Sequence, residues 1–170
     1  AAGGTCGWVP GVWPPAGMAR GLLAAGSYWG AFDAAAVHDG APREDAVLLG
    51  AVAMDLDADM GDGTAPGHGS GTGGPGWEDL PAREVRGLHL LAVDPAARGR
   101  HVSVALLDAM GREARGEGAR AVRLNTSVQG VEANAMYTRC GFTRHRPIWL
   151  PYPELPMPGW TNLWELRLDA

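Results

Sequence analysis

The chain of 170 residues has no lysine and one isoleucine, Ile148, and all 14 of its basic residues are arginine. Its 19 acidic residues outnumber them, leaving a formal charge of -5, so the basic stripe that general nucleic-acid binding needs is missing. Any anion must be held by local arginines. Cysteine is scarce too: Cys6 and Cys140 are too few for a disulfide framework or a zinc site, and no CxxC or HxxxH surrounds them, so no metal is expected. Cys140 follows a predicted helix, and a helix C-terminus does not stabilise a thiolate, which makes it a packed thiol rather than a nucleophile. No apolar run approaches the roughly 18 residues of a membrane span. The start AAGGTCGWVP lacks the basic-then-apolar order of a signal peptide, so a cytoplasmic protein without a membrane partner is expected.

What is present suits one domain over residues 1–170, since 46% of the chain is apolar. A short helix is expected around PAGMARGLLAAG, stopped by Gly26. SYWGAFDA and AVLLGAVAMD read as two antiparallel strands separated by the turn-like AVHDGAPRED. Residues 56–80, rich in Gly and Asp, read as a flexible loop with almost nothing to bury. GLHLLAV is a strand, and Val102, Ala105, Leu106 and Met110 then recur at helical spacing from about residue 101 to 117. ARAVRLNTS is the next strand, residues 131–140 form a short helix before Gly141, and FTRHRPIW and TNLWELRLD close the chain as strands. The fold class predicted is α/β, an α+β mixed sheet with flanking helices.

VDPAARGRHVSVALL, residues 93–107, is the most informative stretch. A turn leading straight into a helix aims free backbone N–H groups and the positive end of the helix dipole at one spot, which suits a phosphate. Arg98 and Arg100 add charge, and Gly99 lets the backbone come close. The plainer alternative is a strand-to-helix turn with two solvated arginines.

LAVDPAARGRHVSVALLDAM, followed by a strand, a helix carrying MYTRCGF and terminal strands, resembles the GNAT acetyltransferase superfamily. The family pattern V-x-P-x-x-R-G-x-G-x-G/A-x-x-L-L, then a tyrosine four residues before Gly-Phe, is matched by Val93, Pro95, Arg98, Gly99, Leu106, Leu107, Tyr137, Gly141 and Phe142. The resemblance covers most of residues 27–168; residues 1–25 match poorly, and the usual opening strand is not evident before residue 10. It implies an N-acetyltransferase moving an acetyl group from acetyl-CoA to a primary amine in a ternary complex. Residues 98–103 (Arg98, Gly99, Arg100, His101, Val102 and Ser103) would hold the pyrophosphate of acetyl-CoA, and the pantetheine would lie along Leu91, Ala92 and Val93. Tyr137 would protonate the leaving thiolate, and a backbone N–H near Leu91 would face the oxyanion. The acceptor would be a small-molecule or peptide amine, and family members are often homodimers.

The sequence departs from the family at several positions. His101 and Ser103 stand where small residues are usual, and His101 either crowds the diphosphate or lends it a hydrogen bond or charge. Gly130 replaces an asparagine, for which Asn134, on the same helical face as Tyr137, is the candidate substitute. Gly87 stands where many members have a catalytic Glu. His89 shares its strand parity and is the candidate base, with Glu84 weaker and a water chain possible. These departures also support an alternative from another class, a catalytically silent GNAT-like module that binds CoA or another ligand for regulation.

Two further features admit plainer readings. Asp55, Asp57 and Asp59 alternate as in a calcium loop, but Met60 and Pro66 stand where an EF-hand needs Gly and Glu, so a solvated loop is expected. Trp149, Tyr152, Trp160 and Trp164 crowd the end of the chain: Trp164 alternates as a core strand residue, while Trp149 and Tyr152 are candidate acceptor contacts.

Overall fold

The computed structural model describes residues 14–58, 76–149 and 159–169. Helix α1 (Ala16–Ala24) precedes strand β1 (Tyr28–Ala31), a small hairpin of β2 (Val37–His38) and β3 (Ala41–Pro42), and β4 (Gly50–Asp55). Then come β5 (Val85–Val93), α2 (Val102–Gly116), β6 (Ala121–Ser127), α3 (Val131–Arg139), β7 (Thr143–Arg144), β8 (Ile148–Trp149) and β9 (Trp160–Arg167). The expected antiparallel pair at the front is β1 with β4. The stretch between them, read as a bare turn, carries the β2–β3 hairpin. FTRHRPIW, read as one strand, is two short ones, both paired with β9.

The main sheet runs β1-β4-β5-β6-β9-β7, with β8 also on β9. Only β5 and β6 pair in parallel, which requires a crossover, and α2 supplies it. The helix turns Val102, Leu106, Leu107, Met110 and Ala114 onto the sheet, where they meet Val52, Leu88, Val122, Leu124 and Trp164. Ala105, expected on that face, is exposed, and Leu107 takes its place. Met110 is only 1% exposed, and burying a side chain of this kind contributes about 1.5–3 kcal/mol.

The opposite face of the sheet is covered in part by residues 76–80, which were expected to bury almost nothing. Trp77 lies over the guanidinium of Arg123, 4.4 Å from ring centroid to Cζ, and Leu80 packs with Val85 and Ala121. Arg123 is buried, and it is satisfied by Glu165 Oε1 at 2.9 Å and the Glu78 carbonyl at 2.6 Å. A buried charge needs such pairing. Among the described residues no helix is long and apolar enough to cross a membrane.

One strand departs from regularity. Ala53 pairs with His89 but Ala51 with Ala92, so Val52 faces two residues of β5, a β-bulge. Leu90 is the extra residue and takes a left-handed φ of 54°. Before the bulge, Leu88 points to the α2 layer and His89 away from it; after it, Leu91 and Val93 return to the α2 layer.

Candidate active site

The two central strands part. β5 and β6 are paired only at Val85–Ala121, Arg86–Val122 and Gly87–Arg123. Beyond that point each keeps its outer neighbour: β5 stays on β4 to the Gly50–Val93 pair, and β6 stays on β9 to Ser127–Thr161. The result is a wedge inside one sheet, opening toward the α2 turn, which leaves the inner edge of β5 free for a ligand's polar groups. A cleft of about 610 Å³ fills it on the α2 side, within the usual range for small-molecule sites.

One wall of this cleft is the turn singled out in the sequence. Asp94 accepts a hydrogen bond from Ala96 N–H at 2.7 Å, capping a short 3₁₀ turn that Pro95 begins. Gly99, at φ 80°, then reverses the chain, and His101, at φ 57°, is the N-cap of α2. Residues 102–104 therefore present first-turn N–H groups that have no partner within the helix. Arg98, Gly99, His101, Val102 and Ser103 all line the cleft, as do Leu91 and Val93 of β5. The left-handed backbone at residue 101 accounts for the small residue the family prefers there. Arg100 is not in this wall, because its guanidinium is held outside by Asp33. Ala92 points to the other face and is not among the residues that line the cleft.

Helix α3 forms the opposite wall. Tyr137 is buried between Phe142 and Trp164, with ring centroids 5.6 and 5.8 Å away, and lines the cleft. Burial, helped by the neighbouring Cys140 thiol, pushes its phenol well above the ordinary range, so it remains a protonated donor. Cys140 is half-buried, and burial raises its thiol too, against a role as nucleophile.

Asn134, expected as a cofactor contact, has another role. Its amide N–H₂ donates to the carbonyls of Ser127 (2.9 Å) and Gly130 (2.7 Å), and its oxygen accepts from Asn162 Nδ2 (2.7 Å) and Trp164 Nε1 (3.3 Å). Both donors and both acceptor positions are used, so nothing is left for a ligand. Asn134 is a bracket that ties α3 to β6 and β9, and thereby sets where Tyr137 lies.

His89 stands on the other face of β5, just past the last β5–β6 pair, at 2.9 Å from the Asp57 carbonyl and 3.1 Å from Asp55 Oδ1. Asp55 is thus engaged by the fold; Asp59, Met60 and Pro66 lie outside the described residues, and among those described no cluster of acidic, His or Cys side chains could hold a metal. Glu84 binds Arg83 and Arg120 away from the cleft. Trp149 packs edge-on against Trp160 at 5.7 Å, outside the cleft lining, and Tyr152 lies outside the described residues. Sequence reasoning missed Glu132, Ala133, Met136 and Arg139, which line the cleft with Tyr137. The signal was available in the i, i+4, i+7 spacing of Glu132, Met136 and Arg139, with Ala133 beside them, a stripe of α3 bordering Tyr137.

No curated protein matches the chain. Solved structures do, and the three described next do so at low identity. A structure designated a GNAT-family acetyltransferase from Desulfovibrio desulfuricans aligns at TM-score 0.58 and 19% identity, over 98% of this chain and 87% of its own. The NatC complex bound to Gag peptide and CoA aligns at 0.57 and 17%, over 89% and 79%. A protein designated a streptothricin acetyltransferase from Bacillus anthracis, in complex with acetyl-CoA, aligns at 0.50 and 18%, over 72% of this chain and 57% of its own. At these identities the likeness establishes the fold. The family model described as "Acetyltransferase (GNAT) family" matches residues 19–142, the stretch that contains the parted strands, the α2 turn and Tyr137, and the chain belongs to that family.

Proposed function

We propose that this protein is an N-acetyltransferase that moves the acetyl group of acetyl-CoA to a primary amine by direct attack in a ternary complex. The observation that carries the reading is the convergence on one cleft of the α2 N-terminal turn with Arg98, the open edge of β5 and the protonated Tyr137. The turn and Arg98 suit a diphosphate. The open edge of β5 offers main-chain donors and acceptors to an extended pantetheine, with Leu91 and Val93 as its apolar floor. Donors fixed near a thioester carbonyl stabilise the charge that develops there.

Tyr137 is the acid for the departing thiolate and His89 the candidate base. The acetyl-CoA bound by the Bacillus anthracis protein, and the CoA and peptide in the NatC complex, support the same donor here and an acceptor that is a small-molecule or peptide amine.

The test is a calorimetric titration with acetyl-CoA. Micromolar binding, weakened at least about tenfold by Arg98→Ala, is expected, as for loss of a charge-assisted phosphate contact. Tyr137→Phe should keep that affinity and lower kcat by about 10²–10⁴-fold, the range of general acid catalysis. No binding by folded wild type would sink the acetyltransferase reading.

A further inference from the structure

His89 Nε2 touches two atoms that can only accept hydrogen bonds, an Asp55 carboxylate oxygen at 3.1 Å and the Asp57 carbonyl at 2.9 Å. Nε2 must therefore carry the hydrogen, and the lone pair of the neutral imidazole lies on Nδ1. The contact is built into the fold. Asp55 is the cross-strand partner of Gly87, so His89 is its diagonal neighbour. Asp55 Oδ1 also accepts from Asp57 N–H at 2.8 Å, which curls the chain back over β5.

Gly87 makes room for that curl: a Cβ there would collide with the Asp57 carbonyl and approach within 2.8 Å of His89 Nε2. The position where a catalytic carboxylate was looked for is thus occupied by backbone that orients a histidine.

We propose that Asp55, together with the Asp57 carbonyl, is the positioning residue for His89, holding it as the Nε2–H tautomer so that Nδ1 takes the proton of the attacking amine. This deepens the acetyltransferase reading and rests on it. The amine nitrogen forms its bond to the acetyl carbon and the carbon–sulfur bond breaks. One proton passes from nitrogen to His89 Nδ1 and one from the Tyr137 hydroxyl to the CoA sulfur; His89 then releases a proton to solvent and Tyr137 regains one. The geometry divides the two duties between the faces of the sheet. Leu91, Val93 and Tyr137 face the cleft on the α2 side, while His89 stands on the far side at the first residues beyond the last β5–β6 pair. Among the described residues, the charged and titratable groups on that far face include Asp55 and Asp57 beside His89, Arg123 opposite Gly87 on β6 with its partner Glu165 and then His145 and Glu78, and Tyr28 on β1 opposite Ala53.

The test combines two readouts on the full chain. Long-range ¹H–¹⁵N spectra of the free protein should show His89 with the hydrogen on Nε2, and Asp55→Ala, which removes the carboxylate and the acceptor that holds the Asp57 curl together, should give a mixture of tautomers. Hydrogen on Nδ1 in the wild type, or an unchanged pattern in Asp55→Ala, would overturn the proposal. Thiol release from acetyl-CoA is then followed with spermidine and a lysine-containing tripeptide as amine probes.

Asp55→Asn should lower kcat at least about tenfold with KM for acetyl-CoA unchanged. Asp55→Glu should recover part of the rate. A wild type that neither binds acetyl-CoA nor releases thiol overturns the transferase reading and the base role together. A wild type that does both, with Asp55→Asn indistinguishable from it, overturns the positioning role alone.

Discussion

Replacing His101 with glycine should stabilise the fold. The residue sits at φ 57° and ψ 24° as the N-cap of α2, its side chain makes no cap hydrogen bond, and it is exposed. An L-residue in the left-handed region gives up about 1–2 kcal/mol, and histidine is among the types that tolerate it best. Glycine removes that cost but loses about 0.5–1 kcal/mol through the greater freedom of its unfolded chain.

Since no side-chain cap hydrogen bond is forfeited, the net expectation is a gain of about 0.5–1 kcal/mol. That corresponds to about 1–4 °C in Tm for a chain of this size. Urea unfolding followed by tryptophan fluorescence reads it as a higher midpoint at unchanged slope. His101→Ala separates the two possible origins, because it removes the imidazole but keeps the Cβ that causes the strain. Alanine should give no gain. Equal gains for alanine and glycine would refute the backbone explanation and put the cost in the imidazole itself.

Other substitutions test the rest of the framework. Asn134→Ala should cost about 2–4 kcal/mol in urea unfolding, since it removes four hydrogen bonds and strands the Asn162 amide and the Trp164 N–H. A near-neutral effect on stability with lost acetyl-CoA binding would restore Asn134 as a cofactor contact. Hydrogen bonds from Arg167 first, and from Arg120, hold the Asp169 carboxyl down from 3.8 to about 2. Its folded value lies below its unfolded one, so this stabilisation is complete above pH 3.8 and disappears as pH falls through about 2. Asp169→Asn should therefore be less stable than wild type at neutral pH, converge with it below about pH 2, and differ less in high salt, all read by acid unfolding.

The strands legible from sequence, β1, β4, β5, β6 and β9, are apolar runs of strand length bounded by turn residues; α2 was legible from its helical spacing, and α1 and α3 from the glycines that stop them. The turn into α2 was legible because Gly99 and the helix start are contiguous in the chain. Parity along β5 correctly put His89 on the same face as Gly87, because the bulge lies beyond both. What the sequence hid depends on contacts between distant segments. Arg98 and Arg100 look equivalent in a string, yet Asp33, far away in the chain, withdraws one of them. Asn134 looked available because its partners on β9 follow it by 28 and 30 residues. The burial of Trp77 and Leu80 was masked by the polar run before them, since composition does not tell where the last residues of a loop rejoin the sheet.

The bulge in β5 has a consequence for what the extra residue is for. Without Leu90, His89 would be followed directly by Leu91, and simple alternation would still send His89 to one face and Leu91 and Val93 to the other. A strand one residue shorter would thus satisfy the core just as well, pair fully with β4, and spare a bulky residue its positive φ. Packing therefore gives no reason to keep Leu90. What deletion would erase is an interruption that turns backbone polar groups out of the ladder beside the open wedge. A chain without Leu90 should therefore be sturdier in urea unfolding and, if the proposed acyl transfer uses the bulged backbone, slower in releasing thiol from acetyl-CoA.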